Sequence, residues 1–317
     1  KGIRIGGDLI LAPGVTKDVT LVDCVIQGNI RNYGTGEVRF EAPQITPEST
    51  ATKPSEVYKP GATLDRTLEY GGKTVPIYRD RPLNVFSDVD FIWTGEENEN
   101  QRRLEYLGGE FRTRYGIDVS SFQGEIDWDA VADDNIDFAM VRVGFRGTGT
   151  GSLNTDKYYE QNIRGAMRAG LETGVYFFAQ AVTVEEAIEE ADYVISLLDG
   201  LDINGPVAYD WEMHDSTYRV YGTSPEMATA CAVAFCERIK DAGYTPMVYG
   251  GTYVTYMKYD QGALADYLSW YPEYKSEKSE KLCPTLVYHM DYWQFSSSRA
   301  VAGINSRVDM NIQFIRR

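Results

Sequence analysis

The sequence holds few of the residues that metal, redox and nucleophilic chemistries need. Among 317 residues there are two histidines, His214 and His289, and four cysteines, Cys24, Cys231, Cys236 and Cys283. No C-x-x-C occurs, which argues against zinc and thioredoxin-like sites, and the two histidines form no metal pair. Cys231 and Cys236 lie five apart on a predicted helix and project to different faces, so the thiols read as small core residues. No G-x-S-x-G marks a serine hydrolase. No apolar run approaches the ~18 residues that span a bilayer. Basic residues are also short, at 31 Lys and Arg against 47 Asp and Glu, a net charge of −16. A nucleic-acid binder needs the opposite balance, and anionic lipid is equally disfavoured.

Nucleotide motifs fail on single positions. In "GFRGTGTG" (144–151) Ser152 stands where G-x-G-x-x-G from Gly147 needs its last glycine, and the next strand ends at Gln180 and Ala181 rather than at an acid. "GGKT" has Thr67 where a phosphate loop needs its first glycine. No cofactor and no metal are predicted.

What is present falls into two parts. Residues 1–114 carry 17 acids and 15 bases and read as short strands and turns, with no evident repeat. Pro, Ser and Thr mark a linker-like stretch at 43–61. From Tyr115 onward strands and helices alternate, with 30 acids against 16 bases. Strands are predicted at "YGIDVSSF", "FAMVRVGF", "GVYFFAQA", "PVAYDWE" and "TPMVYGG". Thr183 and Glu186 form a capping box ahead of a helix closed by Gly200. Ser224 and Pro225 open a second helix, closed by Gly243, and Asn154 or Thr155 opens a third. "TLVYHMDYWQF" (285–295) and "RVDMNIQF" (307–314) are further strands. About five βα units followed by strands predict an α/β fold with a TIM-like (β/α)5(β)3 barrel. The expected domains are a β-rich module over 1–112 and a catalytic barrel over 113–317. The chain begins at Lys1 without a signal-like segment, so a processed or trimmed chain is expected.

A parallel barrel places its chemistry at the C-terminal strand ends. Asp118 lies in the first strand, Asp210 and Glu212 end the fourth, and Asp309 lies in the last. First and last strands are neighbours in a closed barrel, so four carboxylates would ring one cavity. Their repulsion raises at least one pKa. A neutral carboxylic acid beside ionised ones is what glycoside hydrolysis needs.

"YGIDVSSFQGEIDW" (115–128), "DWE" (210–212) and "GINSRVDMN" (303–311) resemble glycoside hydrolase family 25, the Chalaropsis-type lysozymes, over about 115–317. The resemblance implies hydrolysis of the β-1,4 bond between N-acetylmuramic acid and N-acetylglucosamine in peptidoglycan, by a secreted or cell-surface enzyme, read as a monomer. It implies Glu212 as acid/base, with Asp118, Asp210 and Asp309 as the other acids. It implies Tyr176, Phe178, Tyr249, Trp270 and Trp293 as substrate aromatics. "WYPEYKSEKSEKL" departs from the family pattern and leaves one substrate wall undefined. A carboxylate nucleophile and participation by the substrate's 2-acetamido group both remain open. The alternatives are an inactive barrel that binds cell wall, or a hydrolase of another N-acetylhexosamine glycan.

Overall fold

The computed structural model describes residues 52–61, 63–95 and 102–317, and before them the segments 4–5, 9–11, 16–22, 25–26, 30–32, 35 and 38–41. The chain divides into two compact units, Lys1–Thr50 and Ala51–Arg317.

The first unit contains β1 (Arg4–Ile5), β2 (Leu9–Leu11), β3 (Val19–Val22), β4 (Val25–Ile26), β5 (Ile30–Asn32) and β6 (Val38–Glu41). β1 pairs with β4, β2 with β5 and β3 with β6, all parallel, with Arg4 opposite Val25, Leu9 opposite Ile30 and Val19 opposite Val38. Parallel strands need a long crossover, ordinarily a helix. Here each crossover is made of the other strands, so two successive coils of about 20 residues stack as in a solenoid. The sequence shows no such repeat, because the stacked segments share pattern rather than residue identity.

The second unit opens with α1 (Pro54–Val57), inside the expected linker; residues 43–51 of that stretch lie outside the described residues. Then follow β7 (Leu64–Tyr70), β8 (Lys73–Tyr78), β9 (Phe91–Thr94) and β10 (Arg103–Tyr106), as two antiparallel hairpins. The domain boundary expected near 112 is therefore displaced to 50/51. Packing gives the reason. Ile77 and Leu104 are fully buried, and Phe86 sits among Phe91, Tyr106, Phe111 and Phe314 with ring centroids 4.4–5.7 Å away. Asn84 Nδ2 donates to the carbonyls of Pro284 and Leu286. Each large apolar side chain so buried contributes roughly 1.5–3 kcal/mol, so the hairpins form one core with the barrel.

The barrel is a closed sheet of eight strands: β11 (Phe111–Val119), β12 (Phe138–Arg146), β14 (Glu172–Ala179), β15 (Val207–Trp211), β16 (Pro246–Tyr249), β17 (Leu268–Pro272), β18 (Tyr292–Arg299) and β19 (Val308–Arg316). β13 (Leu153–Thr155) adds an antiparallel edge to β12. Helices α2 (Trp128–Asp133), α3 (Tyr159–Arg168), α4 (Val184–Leu197), α5 (Pro225–Asp241) and α6 (Thr252–Met257) follow the first five barrel strands. β19 runs antiparallel to both β18 and β11, closing the ring otherwise than an all-parallel barrel would. The short link from β18 permits only reversal of direction.

Local signals account for most helix ends. Thr183 and Ser224 cap α4 and α5 by accepting from the backbone N–H three residues on, and Gly200 and Gly243 adopt positive φ beyond the last turns. Residues 153–155 are strand rather than helix start, and α3 begins at Tyr159. Strand alternation divides the aromatics between two layers. Phe138, Met140, Met247, Tyr249, Trp270 and Tyr292 fill the barrel interior, and a Cβ on Gly116 would run into the Phe138 ring. The outer faces of the strands join the larger core beneath the helices and hairpins.

Candidate active site

The four acids meet at the mouth of the barrel. Asp118 on β11 and Asp309 on β19 are direct register partners, and their carboxyls hydrogen-bond to each other. Asp118 Oδ2 also accepts from Asn311 Nδ2 at 2.8 Å and from Gln294 Nε2 at 2.9 Å. Burial pushes Asp118 up to about 6, against those stabilising donors. Burial and then the Asp118 charge push Asp309 up to about 8. The two carboxyls hold one proton between them near neutrality.

Asp210 and Glu212 form a second pair, projecting from the same face of the chain at the end of β15. Asp210 is buried, and its Oδ1 has no hydrogen-bond partner among the described residues. Burial, then the Glu212 and Asp118 charges, hold the Asp210 carboxyl well above the usual range. The strand ends one residue later, and Glu212 opens toward solvent, its side chain 24% exposed. Glu212 Oε2 lies 2.8 Å from His214 Nε2.

Glu212 and Tyr249 border a cavity of about 610 Å³ that Tyr221, Tyr253, Pro272 and Tyr274 also line. Pro272 and Tyr274 belong to the "WYPEY" stretch whose wall the sequence leaves undefined. Tyr221, Tyr253 and Tyr274 are all about half exposed. Tyr249 and Tyr274 each donate a phenolic O–H to Gln294 Oε1, at 3.2 and 3.1 Å. Gln294 thus ties the tyrosine wall to Asp118.

The other expected aromatics divide. Tyr176 is half-buried in the interior, edge-on to Trp270 at 5.8 Å. Phe178 is half-buried beside Asp210 in the sheet register. Trp270 is buried and donates its Nε1–H to Asn311 Oδ1 at 2.8 Å, so it supports the carboxylate pair from below. Trp293 is absent from the site. It points outward, fully buried against Phe91 and Phe295, with its Nε1–H donated to the Glu273 carbonyl. Its neighbours Tyr292 and Gln294 take the inward positions, and alternation sends Trp293 to the other face.

Sequence reading missed Gln294, Asn311, Tyr274 and Arg142. Arg142, on β12, is held by Asp156 at 2.8 Å and stacks over exposed Phe122 at 5.2 Å. Gln294 and Asn311 carried a usable signal: each is a neutral amide on the inward face of a barrel strand, where only a partner would justify it. Among the described residues no group of three or more His, Cys, Asp or Glu is arranged to hold a metal ion.

The model of glycosyl hydrolases family 25 matches residues 117–304, more than half of the chain. The chain belongs to this family. Asp309 and Asn311 lie just beyond the matched span. The chain is 25% identical over 197 residues to the autolytic lysozyme of Clostridium acetobutylicum, covering 62% of this chain and 54% of that protein. It thus spans about half the length of that relative. Lysozyme M1 of Streptomyces globisporus is 26% identical over 201 residues, covering 62% of this chain and 66% of that one. The crystal structure of the Clostridium perfringens spore cortex lytic enzyme SleM shares the fold, with a TM-score of 0.55 at 23% identity over 63% of this chain and 67% of that one. No helix among the described residues is long and apolar enough to cross a membrane.

Proposed function

We propose that the protein is a peptidoglycan hydrolase that cleaves the β-1,4 bond between N-acetylmuramic acid and N-acetylglucosamine, acting outside the cell as a monomer. The observation that carries this reading is the Asp210–Glu212 pair, adjacent carboxyls whose mutual repulsion favours one proton for the two, with Glu212 facing a tyrosine-walled cleft. With that proton on Glu212, Asp210 is a carboxylate. Glu212 gives the proton to the glycosidic oxygen as the C1–O bond breaks. The carbonyl oxygen of the substrate's own 2-acetamido group then bonds to C1, and Asp210 holds the amide N–H of the resulting cation. Water attacks C1, the bond to the amide oxygen breaks, and Glu212 recovers its proton from that water. Two displacements retain the configuration at C1.

Asp118 and Asp309 contribute negative charge beside the developing cation, with Asn311 and Gln294 fixing its position. The family membership and the lysozyme relatives support the same reading. Digestion of soluble, uncrosslinked glycan strands tests it. New reducing ends on N-acetylmuramic acid, released first as the β-anomer by NMR, are expected. Reducing ends on N-acetylglucosamine would reassign the bond, and a first-formed α-anomer would reject retention.

A further inference from the structure

A second cavity of about 420 Å³ adjoins the catalytic cleft along α6. The first turn of that helix, Thr252 to Val254, lines the cleft beside Glu212, and the second, Thr255 to Met257, lines the second cavity. Six helical residues rise about 9 Å, so a polymer in the first cavity needs only a short further span to reach the next. The opposite wall is β8, from the hairpin that precedes the family-matched residues.

The lining identifies the kind of ligand. Tyr58, Tyr78 and Tyr256 present aromatic surface. Lys73 and Glu226 stand exposed at the rim, without an ion pair among the described residues, and Asp260 spends its carboxylate on the backbone N–H groups of Gly61, Gly262 and Ala263. One cation beside two acids disfavours an anion. Aromatic faces with scattered donors and acceptors suit a neutral ligand rich in hydroxyl and amide groups.

We propose that this cavity is a second glycan-binding site, holding the continuation of the strand cut beside Glu212. The proposal rests on the glycan-hydrolase reading for its choice of polymer. A second site on the same strand strengthens binding of long strands by raising the local concentration of the second contact, and leaves short ones unaffected.

The test measures binding to the full chain carrying Glu212→Gln, by calorimetry, with short oligosaccharides, long uncrosslinked glycan strands, and the free stem peptide. Lys73→Ala with Tyr78→Ala opens the cavity; Thr74→Trp, at an exposed position, fills it. Both variants should bind long strands roughly tenfold more weakly and short oligosaccharides as before. Long-strand affinity unchanged by Thr74→Trp in a protein that melts normally would overturn the proposal. An equal loss for short and long strands would also overturn it, as would binding of the stem peptide alone at this cavity. Hydrolysis by the wild-type chain is followed separately: its absence would reject the enzymatic reading, while the length dependence of binding would still decide this one.

Discussion

Asp118 and Asp309 face each other across the antiparallel β11–β19 pair and share a hydrogen bond between their carboxyls. Both titrate above the ordinary carboxylate range, Asp118 near 6 and Asp309 near 8. The folded protein therefore binds protons that the unfolded chain releases. That contribution is fully present below the unfolded carboxylate pKa and is lost as pH rises through about 6 and then about 8. Asp309→Asn cannot lose its proton. It should melt at least about 2 °C above wild type at alkaline pH, where about 1 kcal/mol moves a domain of this size by 2–4 °C. At pH 4 the gain should vanish. Thermal melts across pH check this.

Trp270 and Trp293, both expected at the substrate, should separate under mutation. Trp293→Leu should lower stability by about 2–4 kcal/mol, the range for trimming a large buried side chain, with KM unchanged. Trp270→Phe removes the donor to Asn311 and should lower kcat more than it raises KM. Denaturant melts alongside steady-state kinetics distinguish the two.

Much of this site is legible in the sequence because barrel closure and strand alternation are strong constraints. The placement of Asp118 beside Asp309 follows from first and last strands being neighbours. Alternation alone did not say which parity of "DYWQF" faces inward, and Trp293 was misplaced for that reason. Burial depth is set by segments far away in sequence, so the burial that raises the Asp210 carboxyl could not be read from its own strand. Glu186 shows the same limit. Its spacing from Thr183 marks a capping box, and Thr183 does accept from the Glu186 N–H, but the Glu186 carboxylate is bonded to Val182 N–H and Arg219. A tertiary partner took the group that local pattern assigned to the helix.

That partner has a consequence for the cleft. Arg219 binds both oxygens of Glu186, at 2.7 and 2.9 Å, and donates to the Gln180 carbonyl at 2.8 Å. Gln180 in turn donates to the Glu212 carbonyl at 2.8 Å. Arg219 thereby pins the segment that carries His214 and Tyr221 along the cleft. Arg219→Gln should raise KM about three- to tenfold, up to ~1.4 kcal/mol, with a smaller change in kcat. Arg219→Lys should recover little, since an ammonium cannot reproduce the two-point contact. Equal KM for all three proteins would remove Arg219 from the account.

Truncation tests the placement of the domain boundary. A chain starting at Ala51 should fold and keep its activity on soluble glycans. One starting at Arg112 removes Ile77, Phe91, Leu104 and Phe111 from the core and should be insoluble or melt far lower. A well-folded, active chain from Arg112 would show instead that the hairpins over 64–106 are dispensable.

The central claim is that Glu212 delivers the proton that breaks the glycosidic bond. Its most direct test is the release of reducing ends from purified bacterial cell walls by wild type and Glu212→Gln in parallel, at matched folding by thermal melt. A loss of about 10²–10⁴-fold in the variant is the predicted result, the range for removing a general acid. A variant that releases muramic-acid reducing ends at close to the wild-type rate would contradict it.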